Sequence, residues 1–284
     1  MRDNLYLSSI VFDNKSLNEI IQICKKSNYN LEFSSNIPFQ KKNIDLFASF
    51  IKKKLIHNYF PAPKIPFVLN LASSNKMILK KSIDHCKQNI LLSSKFDLPF
   101  YAAHAGFCLD PMISSLGKKI RSRGKINRKL HLEIFMKSLS ELLNFSNIHE
   151  VNFCIENNVL SKENYELNNE QNIFLCTDYK EIKMILDEFK LNKLGLLLDT
   201  GHLKVSSNTL NLDLNIQTSK ILNYVKAIHH SDNNGLRDLN LPFDKDYWFI
   251  PYLKKFDRIS HVIEVKNINP KTINNQIKIL ENEL

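Results

Sequence analysis

Hydrophobic positions in this chain fall into short runs that stop on polar, ligand-type side chains. Leu194-Gly-Leu-Leu-Leu-Asp-Thr-Gly-His202 is the clearest, an apolar run of strand length that ends on Asp199 and His202. Segments 54–57, 100–104, 151–156, 225–229 and 261–264 share that form and end on His57, His104, Glu156, His229 and Glu264. Buried strands seldom end on charged groups without a reason. With further strands over 5–12 and 29–33, the pattern gives eight. Apolar residues at helical spacing predict helices over 17–25, 43–53, 76–92, 130–143, 178–189, 216–222 and 247–255, and Pro270 suits the first turn of a closing helix over 271–280. Eight alternating pairs describe an α/β fold. The expectation is a (β/α)8 barrel, one domain over residues 1–284, with polar groups gathered at the C-terminal ends of its strands.

A chain of 284 residues that is 43% hydrophobic can bury one core of that size. No apolar run approaches the roughly 18 residues of a membrane span. The N-terminus carries Asp3 and Asp13 beside too short an apolar stretch for a signal peptide, so a cytoplasmic protein without a membrane partner is expected. Five cysteines without a C-x-x-C pairing suggest neither a thiolate zinc site nor a disulfide framework. The net charge of +10 would attract a polyanion, but Lys, Asn and Ile are abundant throughout, so charge alone does not assign one.

Glu156, Asp199, His229 and Glu264 would come from the fifth, sixth, seventh and eighth strands, neighbours in a barrel, and so can converge on one point. Three carboxylates and one imidazole make a hard, oxygen-rich set suited to Mn²⁺, Mg²⁺ or Co²⁺, and Zn²⁺ is compatible with it. A divalent cation would also remove the penalty of burying unpaired carboxylates. Glu32, near the end of the second strand, is either a solvated loop carboxylate or a substrate-facing group. Three prolines make segment 57–66 irregular, which places it over the barrel mouth. The basic segment 117–129 follows the fourth strand. It reads either as a solvated charge run or as a lid whose Arg121 and Arg123 clamp a phosphate or carboxylate.

The segments FCIENN, LLLDTGH, AIHHSDNNGLRDLNLPF and HVIEVKN resemble the xylose-isomerase-like TIM barrels. That superfamily includes sugar and sugar-phosphate isomerases and epimerases, and also the endonuclease-four nucleases of abasic sites. For an epimerase, the resemblance implies one divalent metal on Glu156, Asp199, His229 and Glu264. Glu156 and Glu264 then act as the catalytic base and acid around a metal-stabilised enediolate. His229 is chosen over His230 because the family pattern His-x-x-Asp fits His229 and Asp232. For a nuclease, the resemblance implies a three-zinc cluster in which His57, His104, His202 and Asp238 match the additional ligand positions. There Asn240 stands where the pattern has a histidine, and its amide is a weaker zinc ligand. The reading adopted is an isomerase or epimerase of a small sugar or sugar phosphate, with nucleic acid not the expected partner and a homo-oligomer left open. His57, His104, His202, Asp238, Arg121 and Arg123 are assigned to substrate. A barrel that only binds a sugar or anion is the remaining alternative, and intact Glu156 and Glu264 argue against it.

Overall fold

A computed structural model describes residues 1–12, 14–122 and 124–284. Eight strands, β1 (Leu5–Ser8), β2 (Leu31–Phe33), β3 (Lys54–Ile56), β4 (Tyr101–His104), β5 (Phe153–Glu156), β6 (Gly195–Asp199), β7 (Val225–His230) and β8 (Ser260–Ile263), alternate with helices. All pair in parallel in the order β3-β2-β1-β8-β7-β6-β5-β4. At the remaining seam His57 forms a parallel bridge to Ala102, and Asn58 N–H donates to the Ala102 carbonyl at 2.8 Å. The sheet is a nearly closed barrel, as the strand pattern predicted.

The alternation of side chains along a strand builds the interior in levels. Tyr6, Leu55, Ala102, Cys154, Leu197, Ala227 and Val262 form one buried apolar cluster across the barrel. Two residues further along the same strands stand Ser8, His57, His104, Glu156, Asp199, His229 and Glu264. The barrel is thus apolar below and polar at the next level, towards the C-terminal ends. A second, larger core lies between the sheet and the helices, and it includes the edge-to-face aromatic packing of Phe33 on Phe47 and Phe50.

Ten α-helices occur among the described residues: α1 (Leu17–Ser27), α2 (Asn43–Ser49), α3 (Lys76–Lys95), α4 (Arg128–Ile148), α5 (Lys162–Leu167), α6 (Tyr179–Glu188), α7 (Thr200–Thr209), α8 (Leu214–Ile221), α9 (Ile250–Leu253) and α10 (Pro270–Glu283). Local chemistry starts many of them. Ser16 and Glu19 close a capping box on α1, and Asn75, Asp178, Asp213 and Asn269 accept backbone N–H groups at their own helix starts. Three expectations change. The first strand stops at Ser8 and turns into a 3-10 segment over Ser9–Phe12, the predicted helices over 43–53 and 247–255 shrink to α2 and α9, and α5 and α7 appear where none was predicted. Both unpredicted helices begin on capping side chains, Ser161 and Asp199, which outweigh their modest apolar content. No helix among the described residues is long and apolar enough to cross a membrane.

Candidate metal centre

Asp199 does two jobs at once. As N-cap of α7 its Oδ1 accepts the His202 backbone N–H at 2.7 Å, while Oδ2 is buried with no hydrogen-bond partner and is left facing the barrel axis. Its backbone is clamped by Asn157, whose side chain donates to the Asp199 carbonyl at 3.0 Å and accepts from the Asp199 N–H at 2.8 Å. A Cβ on Gly201 would come within 2.6 Å of Ser231 Oγ and 3.3 Å of Asp199 Oδ1, so only glycine lets α7 begin this close to the end of β7.

One ligand atom from each of Glu156, Asp199, His229 and Glu264 lies within 4.8 Å of the others, and all four residues are buried. The structure therefore brings the predicted quartet together. His229 Nδ1 lies 2.8 Å from Glu264 Oε2 and 3.5 Å from Glu156 Oε1. His230, the rejected neighbour, points to the other side of the sheet, where it stacks on His261 and contacts Tyr247. A second group shares Glu156, with His57 Nε2 3.1 Å and His104 Nδ1 3.0 Å from its Oε2. Neither oxygen of Glu156 has an aligned donor despite these short distances. Within the quartet His229 and Glu264 hydrogen-bond each other, but both Glu156 oxygens and Asp199 Oδ2 crowd the same point without a partner, and such oxygens fit a divalent cation.

The electrostatics agree. Burial presses the Glu156 carboxyl upward, but the charges of His104 and His57 hold it well below the usual carboxylate range. Burial likewise opposes ionisation of Glu264, and His229 overrides it, bringing the group down to about 2. Asp199 is pushed up to about 8 by burial together with the charges of Glu264, Glu156 and Asp238, against the pull of His202. His229 rises well above the ordinary imidazole range because Glu32 and Glu264 outweigh its burial, and His202 does so because Asp199 and Asp238 do. Protons on Asp199, His202 and His229 supply the positive charge that this acidic cluster needs, and a cation would take their place.

Above the cluster opens a cavity of about 810 Å³ whose wall includes His104, His202 and Asp238. His202 spends Nδ1 on the Asn157 carbonyl at 2.8 Å, which leaves Nε2 3.4 Å from Asp238 Oδ2. His57 was assigned to substrate as well, but it is only 2% exposed and lies beneath the wall, enclosed by Glu156 and the ring of His229. Arg121 is exposed and outside the wall; Lys118, Lys119, Arg237 and Lys266 are the cations in it. Arg123 lies outside the described residues. Residues 120–122 of the basic segment are held against the body of the barrel. Ile120 is buried against Leu160, Ile173 and Phe174, Asn164 accepts the Ile120 N–H at 2.8 Å, and Asn168 bridges the Ser122 N–H and the Ile120 carbonyl. Glu32 is neither solvated nor in the wall. It is fully buried with Oε2 2.9 Å from His229 Nε2, and its position at the inward level of β2 was the signal available in the sequence.

Fold and cluster together define a parallel (β/α)8 barrel with an acidic, histidine-rich centre at the C-terminal ends of its strands. The chain belongs to the xylose isomerase-like TIM barrel family, whose profile matches residues 15–281. Among solved structures it is similar to a D-tagatose 3-epimerase-like protein, with a TM-score of 0.72 and 20% identity over 99% of this chain and 96% of that one. It is also similar to endonuclease IV from Thermus thermophilus, with a TM-score of 0.58 and 13% identity over 99% and 98%. Both likenesses concern the fold. A curated relative, probable endonuclease 4 from a Sulfurihydrogenibium species, is 22% identical over 221 residues, covering 75% of this chain and 65% of the relative, so the chain matches less than two thirds of that protein's length.

Proposed function

We propose that the protein is a divalent-metal-dependent isomerase or epimerase of a sugar or sugar phosphate, acting as one domain in cytoplasmic carbohydrate metabolism. The observation that carries this reading is the buried quartet of Glu156, Asp199, His229 and Glu264 beneath a cavity of about 810 Å³, a volume in the range that encloses small ligands. The quartet would hold the cation, which when bound polarises a substrate carbonyl and makes the neighbouring C–H acidic. Glu156 and Glu264 flank His229 Nδ1 and are the carboxylates available to take that proton and return it. His104, His202 and Asp238 in the wall would orient hydroxyl groups. Lys118 and Lys266 have no anionic partner within 4.0 Å among the described residues, and they are the cations free to meet a phosphate.

A second reading, a metal-dependent abasic-site nuclease, is favoured by one feature, the group formed by His57, His104 and Glu156, which could hold a further cation. Asn240 weighs against it. This residue is buried at φ +46°, a left-handed conformation that asparagine tolerates well, and it offers an amide where the nuclease pattern has an imidazole. Glu264→Gln tests the first reading. Ketose epimerisation or isomerisation in the presence of Mn²⁺ or Co²⁺ should fall at least about 10²-fold, with the thermal unfolding midpoint little changed. Near-wild-type turnover in that variant would refute the assignment.

A further inference from the structure

We propose that Glu32 is the positioning residue of the metal centre: its carboxylate fixes which ring nitrogen of His229 carries the proton and so keeps the other nitrogen free as a ligand. The inference rests on the reading of the quartet as a metal site. Glu32 is the middle residue of β2, which β1 separates from β8, and it is fully buried. Its Oε2 lies 2.9 Å from His229 Nε2, a hydrogen bond in which the ring N–H donates to the carboxylate oxygen. The opposite nitrogen, Nδ1, faces Glu264 Oε2 at 2.8 Å and Glu156 Oε1 at 3.5 Å. Without a cation both ring nitrogens meet carboxylates and both carry hydrogen; a cation between Glu264 and Glu156 would displace the hydrogen on Nδ1, while Glu32 keeps the one on Nε2. Glu32 Oε1 has no partner and is equally buried, and Glu32 also forms a cluster with His57 and His229, so one carboxylate backs an imidazole of each of the two groups that share Glu156. Facing the nitrogen opposite the quartet is the position that a carboxylate orienting a metal-binding imidazole must occupy.

The test compares the full-length wild type with Glu32→Gln and Glu32→Ala, each stripped with EDTA and titrated calorimetrically with Mn²⁺ and Zn²⁺. The ring nitrogens of His229 are read by ¹⁵N NMR in the zinc-loaded protein. Glutamine keeps the shape but can donate as well as accept, so it no longer selects a tautomer. Affinity should drop about 10–100-fold in Glu32→Gln and further in Glu32→Ala, with loss of the pure Nε2–H signature. Glu181→Gln, which alters the buried partner of Arg128 away from the site, should leave affinity unchanged and so controls for general loosening of the fold. If Glu32→Gln binds both cations as tightly as the wild type and keeps the same tautomer, the proposal is wrong while the metal centre stands. If the wild type binds neither cation, both fall.

Discussion

At the scale of single residues, most of the candidate site was legible because its side chains sit where apolar strands stop. That rule put Glu156, Asp199, His229 and Glu264 among its strand-end candidates, the resemblance settled His229 over His230, and the structure sets the four within reach of one ion. The rule does not say what lies opposite. Glu32 is placed by the curvature of the barrel, which brings the inward face of β2 to His229 across the interior, and no local pattern announces a contact over 197 residues. His57 misled for a related reason. A histidine at a strand end faces the axis, but depth decides whether it meets substrate or a buried carboxylate. Asn240 gives a prediction at this scale. Asn240→His would put an imidazole two residues after Asp238, whose Oδ1 is buried without a partner. The variant should bind one more zinc per chain by elemental analysis, with incision of an abasic duplex still negligible. Strong incision by the variant would mean that the loops are already fitted to DNA.

Single elements were legible where hydrophobic periodicity is the dominant signal and obscure where side-chain hydrogen bonds are. The strands and long helices follow the first rule. Helices α5 and α7 follow the second, because Ser161 and Asp199 start short, polar helices that carry little periodicity. The segment from Gly117 to Asn127 is the main casualty. Its charges suggested a clamping lid or a solvated charge run, yet Asn164 and Asn168 on and just after α5 hold Lys118, Ile120 and Ser122 through their backbones, and Lys118 rather than Arg121 lines the cavity. Lys118→Ala and Lys266→Ala should therefore raise KM for a phosphorylated substrate well above the change seen for the free sugar, and Arg121→Ala should alter neither. Steady-state kinetics on the paired substrates decide it, and an Arg121 effect as large as that of Lys118 would contradict the placement.

For the whole molecule, stability depends on histidines kept neutral in the core. His85 is pushed down to about 4 by burial, and so is His261, whose Nε2–H donates to the Phe256 carbonyl at 2.8 Å. Their folded values lie below the ordinary 6.5, so the unfolded chain binds the extra protons. The stabilisation is complete above about pH 6.5 and is lost as the pH falls towards 4. Urea midpoints of the EDTA-treated protein should decline over that window, and His85→Gln should flatten the decline. Proteins of similar fold are named for an epimerase and for an endonuclease, so the central claim is about what this centre does to a carbon acid. It is tested most directly by incubating the Mn²⁺- or Co²⁺-loaded protein with ketoses and ketose phosphates in deuterium oxide, alongside an abasic duplex. The account predicts deuterium entering the carbon next to the carbonyl of at least one ketose, abolished by Glu264→Gln, with the duplex left intact. Absence of exchange into every ketose, together with multiple-turnover, EDTA-sensitive cleavage of the duplex, would contradict it.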